Sequence, residues 1–229
     1  MNDQSSTLRS RWRYWVAVGA CGFFLVFFFL DMESWNPIVE SVAIHLAMII
    51  PALCLSFALR ALLRERFESN LLDGSTVALA LSLLIHLLAQ MTGELLYGRL
   101  VPLQTDFARA GWLEVALALV CLGGAYATGV SLLAVGIGLR KVVGLHWGLR
   151  RPLVYAFFVC GLFMTGYSVL VSLHAVRIGE VFSALAVLTF HLTDLTFVIV
   201  CLLLMLTFIL AALGALGVPP EASRRASTQ

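Results

Sequence analysis

Long apolar blocks dominate this sequence, and they restrict the chain to a membrane environment. Six blocks have the length, roughly 17 to 25 residues or more, that an α-helix needs to cross the hydrocarbon core of a bilayer. Only 12% of the 229 residues are charged, whereas about a quarter are charged in a soluble domain. The blocks cover residues 14–31, 37–60, 75–97, 112–138, 153–176 and 181–213. We therefore predict an all-α polytopic membrane protein, a bundle of six transmembrane helices.

The basic residues predict how this bundle is oriented, because positive charge concentrates on the cytoplasmic side of membrane proteins. With the N-terminus inside, twelve of the 15 basic residues fall in inner segments and three in outer loops. The inner residues are Arg9, Arg11, Arg13, Arg60, Arg64, Arg66, Arg140, Lys141, Arg150, Arg151, Arg224 and Arg225, and the outer ones are Arg99, Arg109 and Arg177. We expect cytoplasmic tails at 1–13 and 214–229, a transmembrane domain at 14–213, and a bacterial-type inner membrane as the location.

The net charge of +2 does not indicate a nucleic-acid partner, because basic inner loops are usual in membrane proteins. The expected partners are the lipid bilayer and other membrane subunits. The five cysteines all lie within the predicted spans and form no CxxC pair. We interpret them as small buried hydrophobes rather than as a disulfide or zinc framework.

The third block carries a polar stripe along one side of an otherwise apolar helix. Ser82, His86, Gln90 and Glu94 follow one another at intervals of four residues, and side chains at that spacing share a helical face. Polar side chains that face lipid cost several kcal/mol. The stripe is therefore expected to face other helices or a wet cavity. Asp73 or Ser75 is expected to cap this helix.

Ionisable residues in the second and sixth blocks lie at a similar depth. His45 lies in the second block, and His191 and Asp194 are three residues apart in the sixth. With a rise of ~1.5 Å per residue, all three histidines fall near the midplane. We predict that they meet in a central site below an outward-facing vestibule. The residues predicted to line the path of a substrate or ion are His45, His86, Gln90, Glu94, His191 and Asp194.

This set of residues is compatible with several functions. The leading hypothesis is translocation of a proton, a cation or a small solute, since histidine titrates near neutrality. In a redox subunit, His86 and His191 would be axial ligands of a b-type haem. A divalent metal such as zinc, held by His45, His86, His191 and Asp194, would instead favour hydrolysis. The chain would otherwise be a scaffold subunit of a larger membrane complex, in which the polar groups only determine helix register.

The fourth block carries small residues at intervals of four. Cys121, Ala125 and Gly129 share one face, and small residues at that spacing let two membrane helices approach closely. This face is predicted to be a packing surface.

Overall fold

The structure, a computed structural model, describes residues 3–29, 37–66, 69–98, 105–141, 149–175 and 181–215. Over these ranges the chain forms six α-helices and no strand, which confirms the all-α prediction. The helices are α1 (Asp3–Phe29), α2 (Pro37–Arg66), α3 (Asn70–Tyr97), α4 (Trp112–Lys141), α5 (Arg150–Ala175) and α6 (Val181–Ala212).

Four of the helices contain a stretch that is long and apolar enough to cross a membrane, judged over the described residues. The stretches are Asn70–Tyr97 in α3, Trp112–Arg140 in α4, Arg150–Leu173 in α5 and Ala184–Ala212 in α6. These helices make a multi-pass membrane protein plausible. For α1 and α2 the predicted membrane span stays a prediction.

The helix bounds agree with the predicted blocks at several ends and extend beyond them at others. α4 begins at Trp112 and α6 at Val181, as predicted. α1 begins at Asp3, within the predicted tail, where residues 3–13 contain no glycine or proline that would stop a helix. α3 begins at Asn70, earlier than predicted.

The predicted cap of α3 is wrong. Ser69 is the N-cap, and its Oγ accepts a hydrogen bond from the amide of Leu72 at 3.4 Å. Asp73 lies in the first turn and pairs with arginines of α2 instead. The helix ends at Gly98, which adopts a positive φ of 63° and donates its amide to the Glu94 carbonyl. Glycine reaches this left-handed conformation without the penalty that other residues incur.

The helices form a ring in chain order. Each helix packs against the next, and α6 packs against α1. Over the described residues, no other pairs of helices are packing neighbours. The short connections place neighbouring helices antiparallel. Arg60, Arg64, Arg140 and Arg150 thereby lie at one end of the ring, which we call the basic end.

A continuous apolar core fills the ring towards the basic end. Every helix contributes to this core. Cys21 of α1, Leu62 of α2 and Phe208 of α6 are almost completely buried in it, as are Val135 of α4 and Phe157 of α5. A smaller cluster lies further from the basic end, where Leu122 of α4 packs with residues of α5 and α6. The half of the bundle near the basic end is therefore closed by packed side chains.

Glycine allows α4 and α5 to approach closely in the middle of the bundle. A Cβ at Gly129 would lie 2.8 Å from the backbone nitrogen of Thr165, and a Cβ at Gly161 would lie 2.7 Å from the carbonyl oxygen of Gly129. Any larger side chain at these positions would push the two helices apart. The prediction of a packing surface on α4 is thus confirmed at Gly129.

Candidate functional site

The polar stripe of α3 faces α4. Gly124 allows this close approach, since a Cβ there would lie 2.8 Å from the backbone nitrogen of His86. Cys121 and Thr128 lie on the same face of α4 as Gly124, because they are three and four residues away along the helix. Contact at this glycine therefore places a thiol and a hydroxyl of α4 against the polar side chains of α3.

His86 and Cys121 form the centre of this interface. Nδ1 of His86 lies 3.0 Å from the carbonyl oxygen of Cys121 and 3.3 Å from its Sγ. Cys121 is completely buried, whereas His86 is half-buried. When Nδ1 carries the proton it donates to the carbonyl, and when the proton is on Nε2 instead, Nδ1 can accept from the Cys121 thiol. The contact with α4 thus determines the orientation of the histidine ring.

Two further residues extend the contacts from His86 away from the basic end. The Cys121 thiol donates to Oε1 of Gln90 at 3.3 Å, and Nε2 of Gln90 donates to a carboxylate oxygen of Glu94 at 3.0 Å. Both α3 side chains are half-buried. Because Gln90 accepts from the thiol and donates to the carboxylate, the four groups form a connected sequence of hydrogen-bonding groups.

A hydroxyl pair lies one helical turn nearer the basic end. Thr128 Oγ1 donates to Ser82 Oγ at 3.1 Å and also lies 2.8 Å from the carbonyl oxygen of Gly124. The Ser82 hydroxyl donates to the Leu79 carbonyl. Ser82 and Thr128 are both buried. We call the six side chains of this interface the polar row: Ser82, His86, Gln90 and Glu94 of α3, with Cys121 and Thr128 of α4.

Over the described residues, the polar row lies at a closely packed interface between α3 and α4. Two grooves of about 330 and 470 Å³ open on the surface of the bundle. The first lies between α3 and α4 near the basic end, and the second lies between α4 and α5. Neither groove is lined by a residue of the polar row or by another predicted site residue.

The predicted residues on α6 lie apart from the polar row. α6 packs against α5 and α1, not against α3. His191 is exposed on the outside of the bundle, where its ring contacts the ring of Phe190 edge-on. Asp194 is half-buried. His86 and His191 thus lie on helices that are not packing neighbours.

Tyr167 of α5 packs against α6. It is buried, and its ring packs against Phe190 at a centroid distance of 5.5 Å. α5 packs against both α4 and α6, so Tyr167 lies on the helix that separates Asp194 from the polar row.

His45 lies in α2, but its side chain lies outside the described residues. Among the residues that the structure describes, no group of three or more histidine, cysteine or acidic side chains converges as a metal site would require. The described part of the chain therefore gives no support to a zinc site or to a haem held by His86 and His191.

Sequence reasoning missed the α4 half of the polar row. The spacing of small residues predicts that Cys121 is a packing thiol, and no pattern in the sequence distinguishes Thr128. The sequence does contain one indication of this interface. Cys121, Gly124 and Thr128 are small or polar, share one face of α4 and lie at the depth of the polar stripe on α3.

Comparison of the whole chain with protein-family models, with curated proteins and with solved structures finds no match.

Proposed function

We propose that this chain is an integral membrane protein that crosses a bacterial-type inner membrane six times, with both termini in the cytoplasm, and that it moves protons. The apolar stretches of α3 to α6 support insertion in a bilayer. The arginines at the basic end support the orientation, since positive residues stay on the cytoplasmic side.

The observation that carries the proposal is the connected run from Glu94 through Gln90 and Cys121 to His86. Each successive contact is 3.0 to 3.3 Å long. A proton would leave the Glu94 carboxyl for Oε1 of Gln90 after that amide rotates, the amide nitrogen would give a proton to the Cys121 sulfur, and the thiol would give its own proton to Nδ1 of His86. Gln90 is left in its imidic acid form and returns to the amide when the proton moves from its oxygen back to its nitrogen. The histidine at its inner end can hold the proton near neutral pH. Ionisable residues within spans mark ion pathways and proton relays in membrane proteins.

Close packing favours a proton over a larger substrate. A solute or hydrated cation needs a cavity, and neither open groove reaches the polar row. A proton needs only groups that donate and accept, and the row supplies a carboxylate, an amide, a thiol and an imidazole. We therefore narrow the range of translocated species to the proton.

The polar row would carry protons through the half of the membrane opposite the basic end. Glu94 lies one turn before the end of α3 at Tyr97, so it would be the entry from the outside. Beyond Ser82 and Thr128 the apolar core fills the ring. In this conformation a proton held on His86 would not reach the cytoplasm, and transfer would require the helices at the basic end to separate.

Asp194 stays in the proposal as an acceptor on the other side of the bundle. Tyr167 lies on α5, which packs against both α4 and α6, and would be the intermediate between Cys121 and Asp194. His45 also stays in the proposal, on α2, which packs against α3.

Proton flux into liposomes tests the proposal. The full-length protein is reconstituted with a pH-sensitive dye inside, and a potassium diffusion potential drives proton entry. We expect flux above that of protein-free liposomes. His86→Gln retains a hydrogen-bonding side chain but cannot hold a proton near neutrality, so it should lower the rate about tenfold or more. Glu94→Gln should also lower the rate of proton flux.

Thr92→Val is the matched control. Thr92 lies on α3 between Gln90 and Glu94 in sequence, but its hydroxyl bonds to the Leu88 carbonyl and is not part of the row. This variant should conduct like the parent protein. Absence of flux in the parent protein, or equal flux in His86→Gln and Thr92→Val, would refute the proposal. An absorption band from bound haem in the purified protein would favour the redox alternative instead. Proton flux that appears only when another membrane subunit is added would favour the alternative in which this chain is a scaffold subunit.

A further inference from the structure

One face of α6 presents a polar side chain to the outside of the bundle within a helix suited to span a bilayer. His191 is exposed there, and Val187, Leu195 and Leu202 lie on the same side with exposed fractions of 41%, 58% and 46%. The intervals of four, four and seven residues keep these side chains on one face. We call them the α6 outer face.

An imidazole that faces lipid alone is unfavourable, because hydrocarbon offers it no hydrogen-bond partner. The ring of Phe190 contacts the His191 ring, but an aromatic carbon edge does not replace a strong acceptor. Asp194 lies three residues further along α6, at the edge of the same face, and is half-buried. The α6 outer face therefore carries a donor and an acceptor side by side.

We propose that the α6 outer face is the contact between two copies of this chain, in which His191 of each copy pairs with Asp194 of the other. All copies insert with the same orientation, so a two-fold axis along the membrane normal relates them. A two-fold interface needs a self-complementary surface. A histidine and an aspartate on one face meet this requirement, because the two-fold axis makes both cross-pairs at once.

The geometry of α6 is compatible with this pairing. A separation of three residues offsets His191 from Asp194 by about 4.5 Å along the helix axis, which the reach of the imidazole can span. The flanking Val187, Leu195 and Leu202 would pack across the axis, since membrane helices associate by van der Waals packing and interhelical hydrogen bonds. α5 and α1 flank α6 in the ring, so the outer face is the side left for a second copy.

Disulfide cross-linking tests the surface. Leu195→Cys is introduced into the full-length protein, which is reconstituted at a low protein-to-lipid ratio and oxidised. Leu119→Cys is the matched control, because Leu119 on α4 has the same exposed fraction of 58%. All variants carry Cys54→Ala, because Cys54 is half-buried whereas the thiols at 21, 121, 160 and 201 are buried. We expect a cross-linked dimer for Leu195→Cys and none for Leu119→Cys or for the Cys54→Ala background. Equal cross-linking at both positions, or none at 195, would refute the proposal.

A charge exchange tests the pairing itself. Dimerisation in liposomes is measured by energy transfer between labelled copies. His191→Ala and Asp194→Asn should each weaken dimerisation about tenfold. The double variant His191→Asp with Asp194→His should restore it, because both cross-pairs are rebuilt with their roles exchanged. Helical circular dichroism of each variant establishes that it is folded. Folded single variants that dimerise like the parent, or a folded double variant that does not recover, would exclude the paired interface.

Discussion

Gly124 shows how one missing side chain determines the surroundings of a functional residue. A Cβ at this position would lie 2.8 and 2.9 Å from the backbone nitrogen and Cα of His86. Backbone atoms cannot move aside as the tip of a flexible side chain can. The close approach of α3 and α4 at this glycine is also what places His86 against Cys121.

Gly124→Ala should therefore destabilise the protein. We expect a loss of about 1–3 kcal/mol in the free energy of unfolding, the usual cost of overpacking, measured by denaturation in mixed micelles and followed by helical circular dichroism. The same variant should also lower proton flux, because the contacts of His86 with α4 would lengthen.

Gly123→Ala is the control for this substitution. Gly123 is the preceding residue of the same helix, and a Cβ there would meet nothing within 4 Å. Its stability should be unchanged or slightly raised, since alanine favours the helix over glycine. Equal losses for the two alanine variants would contradict the role assigned to Gly124.

At the level of helices, an arginine clamp joins the end of α2 to the start of α3. Nε of Arg60 and Nε of Arg64 donate to the same Asp73 oxygen at 2.6 and 2.7 Å. The Nη2 atoms of both arginines donate to the other oxygen at 3.1 and 2.7 Å. Arg60 and Arg64 are one turn apart on α2, so both guanidinium groups reach the carboxylate. Bidentate pairs of this kind combine charge with directional hydrogen bonds.

Asp73→Asn should lower the unfolding midpoint and reduce its dependence on salt. The amide loses the charge that both arginines contact, and salt screens exposed pairs. Unfolding is measured at low and high ionic strength. Asp106→Asn is the control, because the contact of Asp106 with Arg109 is longer, at 3.7 Å, and more exposed. If the unfolding midpoints of the two variants changed equally, the arginine clamp would not contribute to stability.

At the scale of the whole molecule, contact between α1 and α6 closes the ring. Phe208 of α6 is completely buried and stacks on Tyr14 of α1 at a centroid distance of 6.2 Å. Further from the basic end, Phe197 of α6 packs against Phe24 of α1 at 5.0 Å. These contacts join the first helix to the last. Tyr14 and Phe208 belong to the core that fills the basic end of the ring, and Phe197 packs against that core.

Phe208→Ala should destabilise the bundle by about 3–5 kcal/mol, because it leaves a cavity where α1 meets α6. The measurement is again unfolding in mixed micelles. Phe57→Ala removes the same ring from the outer side of α2, where Phe57 is 64% exposed, and should have little effect. If the two variants were equally destabilised, the core at the basic end would not be what closes the ring.

The sequence alone determined which segments are helical. Length and apolar content are local properties, and they predicted the starts of α4 and α6 at Trp112 and Val181. The four-residue spacing in α3 likewise predicted that Ser82, His86, Gln90 and Glu94 share a face. No local pattern indicates which helix that face will meet.

Only the tertiary structure decided how these faces pair. The stripe of α3 meets α4 because Gly124 leaves room for the backbone at His86. The sequence shows a glycine in a helix, but it does not show which other helix will pack there. Cys121 joins the polar row for the same reason, although by composition it is one more buried thiol. His191 faces outward because α5 and α1 contact other sides of α6. Helix periodicity fixes the relative angles of side chains around one helix, but their absolute direction depends on where the neighbouring helices pack.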